Sequence, residues 1–332
     1  TFIELLRESV EEGSIPMSRI DDAITRILRV KYDLGLFDDP YGKVDRASQV
    51  GSEKNRQVAR DAVKMSMVLL KNDSKVLPLS KDQKLTIVGS GANNLGIQNG
   101  GWTVEWQGRS TPDFKILDGD DNGKLNFSEI TSYFKSAYDS KYDAGNADGF
   151  FKNMDKNSNG SISIDEFKKS KMESPYQPNG TSILNAIQEA TNNKGLITYD
   201  PRAENLSKDN IIIAVVGENP YAEGIGDNPT IGLSSFDKNI LEKCYASGNQ
   251  IVVIILSGRP LIIEDHISKW NGLIAAWLPG MAGEGVSDVL FGDYSPTAKL
   301  SFSWPRNTDQ LPLNEGDQNY DPLFPFGHGL SY

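Results

Sequence analysis

The sequence predicts an α/β protein built on a mostly parallel, doubly wound sheet of about six strands. Three observations predict it. Short apolar, β-branched runs recur at 67–70, 85–88, 196–199, 211–216, 251–256 and 273–277. Several of these runs are apolar on both faces, as in strands covered by helices on both sides. Helical patterns at 182–191, 235–246 and 282–290 lie between them, with the apolar spacing of one buried face. In such sheets ligands sit beyond the carboxyl ends of the strands, so the loops that follow strands are where chemistry is sought.

The first 36 residues predict two helices. Ser18 and Asp21 form a capping-box pattern after Pro16, Ile20, Ile24, Ile27 and Leu28 recur at helical spacing, and Gly35 is the expected C-cap. Residues 37–60 read as a linker and the start of a further helix. The tail, 298–332, is rich in Pro, Asp and aromatic residues and is expected to wrap the surface.

The 332 residues suggest about two domains, and 38% hydrophobic residues are enough for a core. A formal net charge of −11 argues against a nucleic-acid binder, which needs clustered Lys and Arg to neutralise phosphates. No apolar run approaches the ~18 residues of a membrane span. The one cysteine, Cys244, excludes an intrachain disulfide and a Cys-based zinc site. The chain opens on Thr-Phe-Ile-Glu-Leu-Leu, without an initiator Met or a signal-peptide pattern, and reads as a piece of a longer protein.

One segment breaks the alternation. Residues 111–172 contain no buried-strand run and carry two 12-residue repeats, which start at Asp118 and Asp155. Both match the EF-hand calcium loop at every diagnostic position. Positions 1, 3 and 5 supply side-chain oxygens from Asp118, Asp120 and Asn122 in the first loop, and from Asp155, Asn157 and Asn159 in the second. Gly123 and Gly160 permit the sharp turn at position 6. Lys124 and Ser161 offer backbone carbonyls at position 7, so the charge of the lysine is no obstacle. Asn126 and Ser163 act directly or through water at position 9, and Glu129 and Glu166 close each site bidentately. Leu125 and Ile162 should pair across a two-stranded bridge. Phe114 with Leu117, and Phe151 with Met154, give the apolar pattern of entering helices. Two calcium ions are therefore expected, with moderate affinity because each loop has few carboxylates. The rival reading is a decayed pair kept as a structural plug. Asn72, Asn126, Asn159, Asn179 and Asn205 begin N-x-Ser/Thr sequons; a glycan on Asn126 or Asn159 would obstruct a loop, so those two read as chance matches.

Two loops follow predicted strands and carry reactive or flat side chains. Gly217-Glu218-Asn-Pro-Tyr221-Ala-Glu223-Gly-Ile-Gly-Asp227 follows the strand at 211–216 and holds three acids. Gly100-Gly101-Trp102-Thr-Val-Glu105-Trp106-Gln-Gly lies beyond the strand at 85–88. Two indoles among hydrogen-bonding groups suit a sugar ring, with its CH faces and OH edges. Ordinary packing is the competing explanation for either indole alone.

These residues carry a resemblance. Ile15-Pro-Met-Ser-Arg-Ile-Asp-Asp-Ala-Ile, Leu69-Leu-Lys-Asn, the Trp102–Trp106 loop, Gly217-Glu-Asn-Pro-Tyr-Ala-Glu, Ser257-Gly-Arg-Pro, Ala276-Trp-Leu-Pro-Gly, Leu290-Phe-Gly-Asp and Phe326-Gly-His-Gly-Leu-Ser-Tyr resemble glycoside hydrolase family 3, in particular its β-glucosidases and exo-β-glucanases. The resemblance covers nearly the whole chain except 111–175. It implies an N-terminal (β/α)8 barrel bearing a nucleophilic Asp, absent from this chain, and a C-terminal (α/β)6 sandwich bearing the acid/base. By that resemblance 1–48 are the last barrel helices and a linker, 49–110 with 176–332 are the sandwich, and 111–175 is an inserted EF-hand pair. Glu223 matches the acid/base, Trp102 and Trp106 match the aromatics of the substrate cleft, and Glu218 reads as an orienting or capping acid. The implied partners are a β-glucoside or β-glucan and the missing barrel, and the implied location is extracellular or secretory.

The implied chemistry is retaining hydrolysis with two carboxylates ~5 Å apart. Glu223 would need a raised pKa, to be supplied by partial burial and by Glu218 and Asp227. Calcium in the insert is expected to fix the loop holding Trp106; a lobe that merely tolerates insertion is the alternative. A nucleotide site is disfavoured, because Asn94 replaces the third glycine after Gly89-Ser-Gly91 and no clean helix is expected there. A Ser-His-Asp hydrolase lacks its Gly-x-Ser-x-Gly elbow, and only His266 and His328 are present. A non-catalytic, calcium-dependent carbohydrate-binding or interaction module remains the other class of function.

Overall fold

The computed structural model describes residues 1–41, 44–173 and 179–332. The chain divides into two compact units, Thr1–Asn55 and Arg56–Tyr332. The expected boundary at 175/176 lies outside the described residues.

The first unit contains α1 (Phe2–Glu11), α2 (Met17–Asp33) and a 3-10 turn at Val44–Gln49. No residue of α1 or α2 is buried. The Ser18 capping box does not form. Pro16 is the N-cap, with extended backbone and no side-chain cap bond, so Ser18 already lies inside the first turn, where it cannot cap. Gly35 does end the helix. It has φ +70°, its N–H reaches Tyr32 O, and Leu36 N–H reaches Lys31 O, which is the Schellman arrangement.

The second unit takes in most of α3 (Glu53–Ser66) and then β1 (Val68–Asn72), β2 (Leu85–Val88), α4 (Leu95–Asn99), α5 (Phe114–Leu117), β3 (Lys124–Leu125), α6 (Phe127–Tyr138), α7 (Ala144–Met154), β4 (Ile162–Ser163), α8 (Ile164–Glu173), α9 (Ile183–Ala190), β5 (Ile197–Tyr199), β6 (Ile211–Gly217), α10 (Ser235–Ser247), β7 (Ile251–Leu256), α11 (Glu264–Ile267), β8 (Gly272–Trp277) and α12 (Glu284–Leu290). Six strands form one sheet in the order β1-β8-β7-β6-β2-β5. All neighbours run parallel except β1 against β8. The six predicted runs are these six strands.

Successive side chains of a strand point to opposite faces, and here both faces are buried. Ile212, Ala214 and Val216 join one apolar cluster with Phe236, Ile240 and Leu241 of α10. Ile211, Ile213 and Val215 join the other, with Ile183 and Ile187 of α9 and Val286 and Val289 of α12. This two-sided covering explains why the central strands read as continuous apolar runs.

Two expectations fail locally. A helix, α4, does begin after Asn94, whose side chain accepts from Ile97 N–H; at five residues it is too short to show a helical period. Gly89 answers to packing rather than to a phosphate, since a Cβ there would meet Val215 O at 2.2 Å. The tail does not merely wrap the surface. Leu300 and Trp304 are fully buried, and Trp304 donates its indole N–H to Leu261 O at 2.8 Å.

The helical segment from α5 to α8 is part of the same body. Phe114, Ile116, Leu117, Leu125, Ile130 and Tyr133 share a cluster with Val88, Ala214 and Phe236. Tyr133 meets Phe236 edge to face at 5.2 Å. Leu125 pairs with Ile162 in the antiparallel β3–β4 bridge, as expected. Among the described residues, no helix is long and apolar enough to cross a membrane.

Candidate active site

Two loops beyond the carboxyl ends of β2 and β6 are fastened together from beneath. Asp237, buried at the start of α10, accepts from Ser90 N–H, Ser90 Oγ–H and Gly217 N–H at 3.2, 2.9 and 3.2 Å. Burial pushes its carboxyl up to about 6, against those three donors.

The acids of the β6 loop have separate environments. Glu218 is nearly enclosed. Arg259 Nη2 lies 2.6 Å from its Oε1, Ser257 Oγ–H donates to Oε2 at 2.6 Å, and Tyr221 O–H donates to Oε2 at 3.2 Å. Arg259 also donates to Gly226 O at 2.9 Å and lies 4.6 Å from the centre of the Tyr221 ring. Burial, with the Glu218 charge adding to it, pushes the Tyr221 hydroxyl up to about 12. Glu223, in contrast, is exposed, and among the described residues no group hydrogen-bonds or ion-pairs its carboxylate. The partial burial expected for Glu223 is therefore not found. Nor can Glu218 act as a bare neighbouring charge, because Arg259 neutralises it. Asp227 is exposed as well.

The aromatic loop presents its indoles to solvent. Trp102 is 66% and Trp106 50% exposed, with ring centroids 6.1 Å apart and the rings tilted 67°. Neither indole is core, so the ordinary-packing explanation fails for both. Trp102 N–H bonds to Trp106 O at 3.0 Å, and Trp102 has φ +76°, an uncommon and strained value for a bulky side chain. The two loops interlock. Gln107 Oε1 accepts from Ala222 N–H at 2.9 Å, and Gln107 Nε2 donates to Glu223 O at 3.3 Å. Gly101 lies so close to Tyr221 that a Cβ would meet its carbonyl oxygen at 2.0 Å.

The two 12-residue loops share one internal pattern. Asp118 accepts from Asn122 and Gly123 N–H, and Asp155 from Asn159 and Gly160 N–H. Asn122 and Asn159 turn their carbonyls to Lys124 and Ser161 N–H, and Asn122 Nδ2 reaches Asp120. Glu129 folds back onto Gly119 and Asn126 N–H, and Glu166 onto Ser163. Asn157 donates to Glu166 at 2.7 Å. Carboxylate oxygens of Asp118, Asp120 and Glu129 lie within 4.8 Å of one another. Burial pushes the Asp118 carboxyl above its ordinary value, and the charges of Glu129 and Asp120 push the same way.

From the far end of α6, hydrogen bonds reach the β6 loop. Asn219 Nδ2 donates to Ala137 O at 2.8 Å, and Lys141 donates to Ile225 O. Asp139 accepts from Ser235 N–H at 2.9 Å. A cavity of about 470 Å³ opens between these pieces, lined by Tyr138, Lys141, Asn219 and Thr230 among others. Gln107, Arg259, Asp237 and Asn219 had no role in the sequence reading. Gln107, Asn219 and Arg259 lie inside the motifs quoted above, while nothing local marks Asp237.

The mostly parallel α/β sheet thus carries an acidic and an aromatic loop at its carboxyl edge. The chain belongs to glycosyl hydrolase family 3: the model of that family's C-terminal domain matches residues 67–332. A periplasmic β-glucosidase of Salmonella typhimurium is 29% identical, over 97% of this chain and 41% of that protein. A lysosomal β-glucosidase of Dictyostelium discoideum is 26% identical, over 100% of this chain and 36% of that protein. The crystal structure of an exo-1,3/1,4-β-glucanase from a Pseudoalteromonas species superposes with a TM-score of 0.69 at 32% identity, over 100% of this chain and 35% of that one. The chain thus spans well under half the length of these relatives.

Proposed function

We propose that the chain is the acid/base half of a retaining β-glucosidase or exo-β-glucan hydrolase. Glu223 is the general acid/base, Trp102 and Trp106 hold a glucosyl ring, and an N-terminal barrel brings the nucleophilic Asp. The observation that carries this reading is the contrast at the β6 loop: Glu218 is consumed by Arg259 and Ser257, while Glu223 keeps a free carboxyl on the loop locked to the exposed indoles. Glu223 protonates the departing oxygen, then takes a proton from water once the glycosyl-enzyme has formed. Periplasmic and lysosomal relatives favour an extracellular or secretory location.

The test is Glu223→Gln in the full-length enzyme. Turnover of glucosides with poor leaving groups should fall by about 10²–10⁴-fold, with far less loss for an activated aryl glucoside and partial rescue by azide. Unchanged turnover overturns the assignment, and sugar binding without any turnover by the parent favours a binding module.

The segment 111–175 acts in this reading as an EF-hand pair. Asp118, Asp120, Asn122, Glu129 and the Lys124 carbonyl hold one Ca²⁺; Asp155, Asn157, Asn159, Glu166 and the Ser161 carbonyl hold a second. The donors are oxygens of the hard type that calcium prefers, and three carboxylates converge within 4.8 Å. Calcium supplies the opposite charge and stiffens the segment. The bonds that join Ala137 to Asn219 and Lys141 to Ile225 carry this stiffness to the loop of Glu223, and Gln107 ties that loop to the one holding Trp106. Calorimetric titration should find two calcium sites, lost with Glu129→Gln and Glu166→Gln; no calcium uptake overturns the reading.

A further inference from the structure

We propose that Gln107 is a positioning residue for Glu223, an inference that rests on the acid/base reading of Glu223. The side-chain amide of Gln107 grips the backbone on either side of the acid. It accepts from Ala222 N–H at 2.9 Å and donates to Glu223 O at 3.3 Å. Its C=O and N–H thus act toward 222–223 as the peptide group of a neighbouring strand would.

The acid needs such a grip. Its carboxylate has no partner among the described residues, so its aim is set by its backbone alone. The next residue, Gly224, has φ +61°, and a glycine adopts many other backbone states at little cost. The other fixed points lie on either side of 222–223: Tyr221 is held by Glu218 and Arg259, Ile225 O by Lys141 and Gly226 O by Arg259. Between them, Glu223 O also accepts from Ile225 N–H within the turn, and Gln107 makes the only side-chain hydrogen bonds to 222–223 found among the described residues. It is also the residue after Trp106. The same amide therefore ties the position of the proton donor to the position of the indole that holds the sugar.

A side chain that aims an acid has a different kinetic mark from one that packs a loop. Proton donation matters most when the leaving group is a poor one. A misplacement of about 1 Å can cost about 10²-fold in rate. In the full-length enzyme, Gln107→Ala should lower kcat/KM by about 10²-fold on an alkyl β-glucoside and hardly at all on 2,4-dinitrophenyl β-glucoside, with azide raising the residual rate. Gln107→Glu, which keeps the acceptor and loses the amide donor, should show a smaller loss with the same leaving-group dependence. It also serves as the probe should the alanine variant melt early. Glu223→Gln is measured alongside. Selective loss in Glu223→Gln with equal losses on both substrates in the Gln107 variants overturns the role of Gln107 alone. Absence of selective loss in Glu223→Gln overturns the acid/base reading as well.

Discussion

Glu218 and Glu223 leave the same strand end, five residues apart in the sequence, and meet opposite fates. Glu218 turns toward the end of β7, where Arg259 and Ser257 take both of its oxygens. Glu223 lies beyond that reach and stays exposed. The difference teaches that a loop acid is assigned by what the neighbouring strand offers it, not by its place in the loop. A carboxylate whose two oxygens are already taken by a guanidinium and a hydroxyl has neither free to meet a substrate. The unmatched one is available for whatever environment the substrate and the missing half create.

The sharpest way to break this contrast is to exchange the effects of the two acids. Glu223→Gln should abolish most turnover of poor substrates, as above, and leave the melting temperature of the enzyme unchanged. Glu218→Ala should do the reverse first. It strands the Arg259 guanidinium in a largely buried site, at a cost of about 3 kcal/mol, read by chemical denaturation. Its activity should fall only as the loop loosens. Glu218→Leu with Arg259→Met should recover much of that stability, because the uncompensated charge is gone. If Glu218→Ala is stable and inactive while Glu223→Gln is active, the two roles are reversed.

Much of this was legible in the sequence, for physical reasons that differ by region. The central strands announced themselves because both of their faces are buried, which leaves runs such as 211–216 without polar residues; β5, at the sheet edge, is only partly buried. The two 12-residue loops were legible because every candidate ligand lies within one contiguous stretch. The fate of Glu218 was not legible, since its partner Arg259 arrives from another strand. Gln107 and Glu223 are 116 residues apart, and only the parallel order of β2 beside β6 brings them together. The tail was not legible because Trp304 is buried without any periodic pattern, its indole bonded to Leu261 O and its backbone bridged to Phe324, twenty residues on.

A second measurement sharpens the same contrast at the root of the loop. Asp237 holds Gly217, the residue before Glu218, and its carboxyl is pushed up to about 6 by burial. Raised above its unfolded value, it favours the folded state most strongly below pH ~4, and this contribution is lost as pH rises toward ~6. Asp237→Asn should remove that part of the pH dependence, flattening the slope of stability between pH 4 and 6 by up to about 3 kcal/mol. Parallel slopes for the two proteins would mean that Asp237 does not titrate in this window.

The smallest expected effect lies between the two acids. Asn219 is the residue after Glu218, and its amide donates to Ala137 O at the end of α6. If the calcium loops stiffen the loop of Glu223 through this bond, Asn219→Ala should cost about 1 kcal/mol of stability while leaving both calcium affinities intact. In the wild type, calcium should slow amide hydrogen exchange at 219–227; in Asn219→Ala that response should shrink, with Lys141 to Ile225 O retaining part of it. Glu218 should be indifferent to calcium in both, because Arg259 and Ser257 hold it without help from α6. A calcium response at 219–227 that survives removal of both Asn219 and Lys141 side chains would place the coupling in the shared apolar core, at Tyr133 against Phe236, rather than in the hydrogen bonds.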